Sequence, residues 1–530
     1  MILKSIKYLL LSIIWAAPLG AQVDTARVDA VFARFAGHSP GCALNLIADG
    51  KSVYEKGYGY ASLELDVPIT PRTVFDIGSV SKQFTAMSIL LLARDGKLSL
   101  DDDIRRYVPA LPDLGHVTIR QLMHHTSGWR DYTDLMALAG WDERDHTTDD
   151  DAIEVLRRQR ALNFAPGTNW RYSNTGFFLM SLVVKRVSGT SLRDFAAARI
   201  FGPLGMSDTQ FLDDTRLIIP RRATAYTPAD SGGGWQVEMS NWDQVGDGAV
   251  QTTVEDLAKW DANFYTPVVG DARLVEMLQT PDQAHYGFGL WRDTYRHQTV
   301  VWHTGAWAGY RAVIMRFPDR RRSIIALCNV ANAHTRLLAT HLADLLIEDR
   351  FSAPPEGVQR TVRAADIVGL YSSDAVGDIL RVTVRGADTV VIEVGDQHHV
   401  LVPSGGLLRD TTDGATYEFG DRRVIVRSFG DIPDTMRRVL PPAESFGTTF
   451  DGTYRSSELR QTWTIRGLKI HRPRGEDIVL TPLYRDGFLT SDGTPIRFLR
   501  DASGQVTALS ITTNGVHDLR FSRALHSQEQ

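Results

Sequence analysis

At 530 residues the chain is too long for one ordinary domain, and roughly 150 residues per domain implies about three. A composition of 43% hydrophobic and 23% charged residues is that of a globular protein, which argues against intrinsic disorder, a collagen or a multi-pass membrane protein. A net charge of −5 without a Lys/Arg run speaks against a nucleic-acid partner, and two cysteines with no Cys/His cluster at zinc spacing suggest neither a disulfide framework nor a metal site.

Lys4 and Lys7 precede an apolar run from Tyr8 to Leu19, broken only by Ser12, and Leu19-Gly20-Ala21 places small residues before Gln22. This pattern predicts a secretory signal peptide over residues 1–21, because the apolar core is too short for a stable span; an uncleaved anchor is the other reading. Export then places the protein in the periplasm or outside the cell, with no membrane span after cleavage.

From Gln22 to about residue 352 helical and strand patterns mix. Cys42 to Ile47 and Val53 to Ala61, separated by Asp49-Gly50, predict a hairpin. Ser81 to Arg94 predicts a helix ending at Gly96; Phe84, Met87, Leu90 and Leu91 spread around its axis, the signature of a buried helix. Val300 to His303, Arg311 to Phe317 and Ser323 to Asn329 predict three successive strands, and Arg336 to Ile347 a closing helix. Strands at both ends with helices between predict an α+β domain whose ends share one sheet. The loops at 129–151 and 227–247 carry no regular pattern, and pocket shape is decided there.

The composition shifts at Ser352-Ala353-Pro354-Pro355, and helical periodicity stops. Leu380, Val382 and Val384 alternate with Arg381, Thr383 and Arg385, as do Trp463 and Ile465 with their neighbours. Gly369-Leu370-Tyr371-Ser372-Ser373 returns as Gly452-Thr453-Tyr454-Arg455-Ser456, with Pro441-Pro442 between the copies. Two tandem antiparallel β-barrels are predicted, over 361–440 and 447–525.

Three short segments carry chemistry. Gly78-Ser79-Val80-Ser81-Lys82 opens the buried helix, where Ser79 and Lys82, three apart, share a face near free N–H groups and a positive field. A serine hydroxyl needs a neighbour to take its proton, and a lysine kept partly neutral by burial can do so; a plain N-cap is the other reading of Ser79. In Pro166-Gly167-Thr168-Asn169-Trp170-Arg171-Tyr172-Ser173-Asn174, an extended stretch would turn Tyr172 and Asn174 to one side. A phenol beside an ammonium ionises more readily and can act as a base, and Asn174 can hold a substrate amide. In His303-Thr304-Gly305-Ala306, at a strand end, the glycine permits close approach of a substrate backbone, and the N–H groups of Ala306 and Ser79 can form an oxyanion hole. Singly, these are also a cap, a packed tyrosine and a structural histidine. His124 and His125, adjacent on a helix, diverge by about 100° and suit no shared ligand role; one is expected to pack and one to be solvated.

In this order and spacing the segments resemble the serine β-lactamase-like superfamily, in the pattern of class C β-lactamases, DD-peptidases, D-aminopeptidases and related esterases. Val117 to Gly128 and Gly248 to Leu257 look like further signatures of it, and the resemblance covers roughly Val28 to Arg350. It implies a β-lactamase-like domain over 22–352, an antiparallel sheet with helices, and a role for each matching residue. Ser79 would be the acylated nucleophile, Lys82 would shuttle its proton, and Tyr172 would be the general base. Asn174, His303 and Gly305 would bind substrate, with the Ser79 and Ala306 backbone as the oxyanion hole. No cofactor or metal is implied. His303 stands where β-lactamases usually carry a lysine that helps bind a carboxylate; a neutral imidazole does so less well, which weakens the β-lactamase and carboxypeptidase readings.

The D-aminopeptidase branch has this His-x-Gly variant and two C-terminal barrels. The resemblance therefore implies a D-aminopeptidase-like serine hydrolase whose partner is a small-molecule or short-peptide substrate, a D-amino-acid amide or short D-residue peptide. An esterase is the alternative, followed by a β-lactamase or DD-carboxypeptidase and, last, a non-catalytic envelope binding protein. In that branch a loop of the second barrel restricts the active site. Here Pro473-Arg474-Gly475-Glu476-Asp477 is an acidic turn, so Glu476 or Asp477 holding a substrate ammonium is weighed against a solvated hairpin tip. The family's fold also makes the strands of Cys42 and Cys328 neighbours, which leaves a disulfide or two buried thiols open. A homodimer stays open as well.

Overall fold

A computed structural model describes residues 23–229, 233–347 and 363–524, the last span interrupted at 374–378, 386–388, 395–396, 405–406, 411–414, 421, 428–432, 440–448 and 492. The expected signal peptide, the Ser352–Pro355 junction and Pro441-Pro442 lie outside the described residues. Among the described residues no helix is long and apolar enough to cross a membrane.

Strand β1 (Cys42–Ala48) turns at Asp49-Gly50 into β2 (Lys51–Tyr58). Both turn residues have positive φ, 52° and 76°, the geometry that Asp-Gly favours in two-residue hairpins. β2 stops short of the expected Ala61, because the chain bends at Gly59 and Tyr60–Ser62 pairs instead with Val67–Pro68. Four strands from the far end of the domain complete the sheet: β3 (Trp291–Tyr295), β4 (Gln298–Trp307), β5 (Tyr310–Phe317) and β6 (Arg322–Cys328). Their order is β3-β4-β5-β6-β1-β2, antiparallel throughout. Cys42 lies directly opposite Cys328, and the two form a disulfide. β3 carries no signal that the sequence reading caught.

The helices that matter for the site are α1 (Lys82–Arg94), α2 (Tyr132–Leu138), α3 (Asn174–Ser188) and α4 (Thr335–Leu346). The two-residue period of β1 sorts its side chains between two cores. Cys42, Leu44 and Leu46 join Val28, Phe32 and the Leu338, Ala339 and Leu342 face of α4. Ala43 and Ile47 join the helical layer through Val80, Phe84 and Leu90. With both faces covered, the central strands read as continuous apolar runs. α1 is buried from Lys82 to Leu92 and packs on α3, which is why its apolar residues surround the axis. The cost of this burial falls on Lys82, a cation that needs partners in the interior.

The C-terminal region is two closed eight-stranded antiparallel barrels, the first from Gly369–Ser373 to Asp434–Arg438 and the second from Gly452–Ser456 to Leu519–Arg523. The repeated segment marks the same place in each, the first strand, which closes the barrel on the last. Its tyrosine is buried in both and donates to a carbonyl four residues back, Tyr371 to Ile367 (2.9 Å) and Tyr454 to Phe450 (2.8 Å). The second barrel docks on the first domain. Buried Arg130 pairs with Glu458 at 2.8 Å, and Arg474 lies 3.8 Å over the Trp141 ring while pairing with Asp145 at 3.1 Å.

Candidate active site

Gly78–Ser81 is a 3-10 turn running into α1. Residues three apart eclipse in such a turn, so Ser79 meets Lys82 instead of serving as a plain cap. Lys82 Nζ lies 2.9 Å from Ser79 Oγ, 2.9 Å from Asn174 Oδ1 and 2.6 Å from the Asp247 carbonyl. The lysine has no exposed surface. Burial pulls it down to about 8, against the opposing pull of the Asp247 and Asp131 carboxylates.

These three partners fit both protonation states of the amine. An ammonium donates to all three. A neutral amine has two N–H donors and one lone pair, and the Asn174 and Asp247 oxygens can only accept. Its lone pair is therefore left facing Ser79, the one partner with a proton to give.

The two fixed acceptors are themselves held. Asn174 is the first residue of α3; its backbone N–H donates to the Asp131 carboxylate, and its Nδ2 lies 3.5 Å from Thr133 Oγ1. Asp131 also accepts from the Thr133 N–H (2.9 Å) and hydroxyl (2.5 Å). The Tyr132 hydroxyl donates to Asp247 Oδ2 at 3.1 Å, and burial pushes the Asp247 carboxyl up to about 6. Asn174 was expected to hold a substrate amide; here its carbonyl oxygen holds the lysine. Asp131, Tyr132 and Asp247 escaped sequence reasoning because neither 129–151 nor 227–247 carries a clear period; the first, expected as a loop, holds the short helix α2, with Asp131 as its N-cap and Tyr132 as its first residue.

The Tyr172 ring lies 4.9 Å from Lys82 Nζ. Its hydroxyl is buried near Ser79, without a hydrogen bond of ordinary geometry. Burial raises the phenol well above its usual value, and the Ser79 hydroxyl opposes this only in part. The expectation that the ammonium eases ionisation thus meets a larger, opposite effect. His124 and His125 are both buried, contrary to the expectation that one is solvated. His125 accepts from the Ser173 N–H (3.2 Å), with its ring centred 4.3 Å from that of Tyr172.

On the other side of Ser79, β4 lies against the turn because two glycines let it. A Cβ on Gly78 (φ +48°) would stand 2.7 Å from the Ala306 nitrogen, and one on Gly305 would collide with the Ile77 carbonyl. The Ser79 and Ala306 backbones are thereby side by side. His303 is buried in β4, with Nδ1 2.5 Å from the Thr304 carbonyl and Nε2 3.0 Å from the Tyr286 hydroxyl. Burial, with Lys82 nearby, holds the imidazole down to about 3. It is neutral, donating from Nδ1 and accepting at Nε2, and it supplies no fixed positive charge.

Tyr286→Phe is expected to leave that buried acceptor unpaired and to lower unfolding free energy by about 1–3 kcal/mol. Denaturant titration measures this, and an unchanged midpoint would show that the imidazole is not held by Tyr286.

The acidic turn does not supply carboxylates to this cluster. Asp477 pairs with His471 (2.8 Å), and the Glu476 carbonyl accepts from Arg472 (3.0 Å). Arg474 is the residue of that turn that reaches the first domain, because Trp141 and Asp145 offer a ring and a carboxylate to a cation. The barrel approaches the site by another loop, where Asp134 accepts from the Thr513 hydroxyl (2.5 Å) and the Gly515 N–H (2.9 Å).

Residues 28–347 match the Beta-lactamase family model, and the chain belongs to that family of serine hydrolases. It is 30% identical over 311 residues to penicillin-binding protein 4* of Bacillus subtilis (strain 168), covering 54% of this chain and 67% of that protein. It is 26% identical over 496 residues to the D-aminopeptidase of Brucella canis, covering 89% of this chain and 93% of that protein. Among solved structures it resembles an octameric penicillin-binding protein homologue from Pyrococcus abyssi with a TM-score of 0.57 at 23% identity, covering 78% of this chain and all of that one. The last likeness is one of fold.

Proposed function

We propose that the protein hydrolyses amides of D-amino acids, or short peptides with a free N-terminal D-residue, through an acyl-enzyme on Ser79. The observation that carries this reading is the Lys82 amine, 2.9 Å from Ser79 Oγ, with two other partners that can only accept. Neutral Lys82 takes the hydroxyl proton as Ser79 Oγ bonds to the substrate carbonyl carbon. The Ser79 and Ala306 N–H groups hold the oxygen that becomes negative. As the C–N bond breaks, the leaving nitrogen takes a proton from the Lys82 ammonium, relayed by the un-ionised Tyr172 hydroxyl. Water then cleaves the acyl ester with the same groups in reverse.

Two things support D-aminopeptidase specificity over β-lactamase. The likeness to the Brucella D-aminopeptidase runs through the barrels as well as the family domain. A neutral His303 with both nitrogens engaged offers no cation to a β-lactam carboxylate. The test is a panel of D- and L-aminoacyl p-nitroanilides with free and acetylated amines, alongside short esters and a chromogenic β-lactam. Preferential cleavage of free-amine D-substrates is expected; esters alone, with no stereochemical preference, would replace this reading with an esterase.

Export is proposed with it, supported by the pattern of residues 1–21 and by a Cys42–Cys328 disulfide, a bond suited to an oxidising compartment. N-terminal sequencing of protein from the periplasm or medium should begin at Gln22, and an intact Met1 would contradict cleavage there.

A further inference from the structure

Residues 130–134 lie between the buried lysine and the second barrel. On the inner side, Asp131 holds the backbone N–H of Asn174, and Tyr132 holds the Asp247 carboxylate. Asn174 and Asp247 are the two fixed acceptors of Lys82. Thr175 ties this segment to the start of α3, accepting from the Tyr132 N–H (2.8 Å) and donating to the Arg130 carbonyl (2.7 Å).

On the outer side the same segment meets the barrel loop at residues 512–518. The Asp131 N–H donates to the Gly515 carbonyl (2.9 Å), which also accepts from Asn163 Nδ2 (2.9 Å). Asn163 Oδ1 takes the His517 N–H (2.8 Å), and Arg130 Nη2 donates to the His517 carbonyl (3.1 Å). With Thr513 and Gly515 both on Asp134, the loop is fastened along its length. There is no slack in the seat, since a Cβ on Gly515 would overlap the Asp131 Cβ.

We propose that the loop at 512–518 of the second barrel positions the lysine of the active site, by clamping Asp131 and Tyr132, which hold Asn174 and Asp247 against Lys82 Nζ. The proposal rests on the reading of Ser79 and Lys82 as nucleophile and base. Asp131, Tyr132, Asp134 and Gly515 touch no reacting atom and are positioning residues. A displacement of about 1 Å at such a support can cost about a hundredfold in rate. The barrel thereby has a task in the reaction although it contributes no group to the chemistry.

The experiment is the rate at which a fluorophosphonate probe labels Ser79 in the full chain, between about pH 5 and pH 10. Gly515→Ala is expected to lower the plateau rate at least about tenfold, with the circular dichroism spectrum retained. Asp131→Asn removes a carboxylate that raises Lys82, so the midpoint of its rate profile should move to lower pH. Of the other groups facing Lys82, Asp247, pushed up to about 6, carries its opposing charge above that pH, and His125, His303 and Tyr172 are held in their neutral forms by burial. A purely structural role would reduce the fraction of active protein and leave the midpoint in place.

Wild-type rates in a folded Gly515→Ala, or an unmoved midpoint in Asp131→Asn, would overturn the proposal. If Gly515→Ala fails to fold, Thr513→Val, which takes the loop's hydroxyl from Asp134, replaces it: a lowered plateau rate is expected, and a wild-type plateau would overturn the proposal. Ser79→Ala must not label at all; if it labels like the wild type, the underlying assignment of the nucleophile fails instead.

Discussion

Ser79→Ala is expected to lower turnover by at least about a thousandfold on every substrate the protein cleaves. Among the described partners of Lys82 the hydroxyl is the one with a proton to give, so its loss removes both the nucleophile and the group the amine would deprotonate. The fold should persist. The alanine leaves the 3-10 turn and the packing of α1 untouched, and a neutral Lys82 keeps both of its acceptors, Asn174 Oδ1 and the Asp247 carbonyl. Circular dichroism and thermal unfolding should match the parent, so that the lost rate reports chemistry. A properly folded variant with near-parental turnover would remove Ser79 from the mechanism.

The second large effect is in the pH dependence. If neutral Lys82 is the base, kcat/KM should climb with pH and level off with a midpoint near the value to which burial pulls the amine, about 8. His303, held down to about 3, should contribute no limb near neutrality. Lys82→Arg should lose about a thousandfold and the rising limb together, because a guanidinium stays protonated throughout. Stability moves with the same group. Between about 8 and the unfolded value of 10.5 the unfolded chain binds the proton that the folded chain has released, so Lys82 makes folding more favourable as pH rises through that window. A midpoint near 6.5 would point to a histidine as the base.

The parts of this molecule readable from sequence are those with a local physical cause. The Asp49-Gly50 turn, the helix apolar all round from Phe84 to Leu92 and the repeated Gly-x-Tyr of the two barrels each follow from backbone preference or periodicity. Ser79 and Lys82 meet because spacing alone brings them together in a tight turn. Asn174 also supports the lysine through its Oδ1, a contact not legible in the sequence, since nothing local says which partner an amide will find. Asp131 and Asp247 lie in or beside loops without pattern, and only the tertiary fold brings them to Lys82. The acidic turn at Glu476 and Asp477 was a reasonable source of charge near the site. Within the turn, Asp477 pairs with its neighbour His471, Arg472 holds the backbone carbonyl of Glu476, and the loop at 512–518 carries no sequence signal for docking.

The central claim, that Ser79 becomes covalently acylated, is tested most directly by trapping the intermediate. The full chain is mixed with a D-amino-acid p-nitrophenyl ester, quenched in acid during turnover, digested and examined by mass spectrometry. The account predicts one added aminoacyl group on the peptide carrying Ser79, appearing during turnover and lost as substrate runs out. Continued hydrolysis with that peptide unmodified, or with the acyl group on another residue, would contradict it.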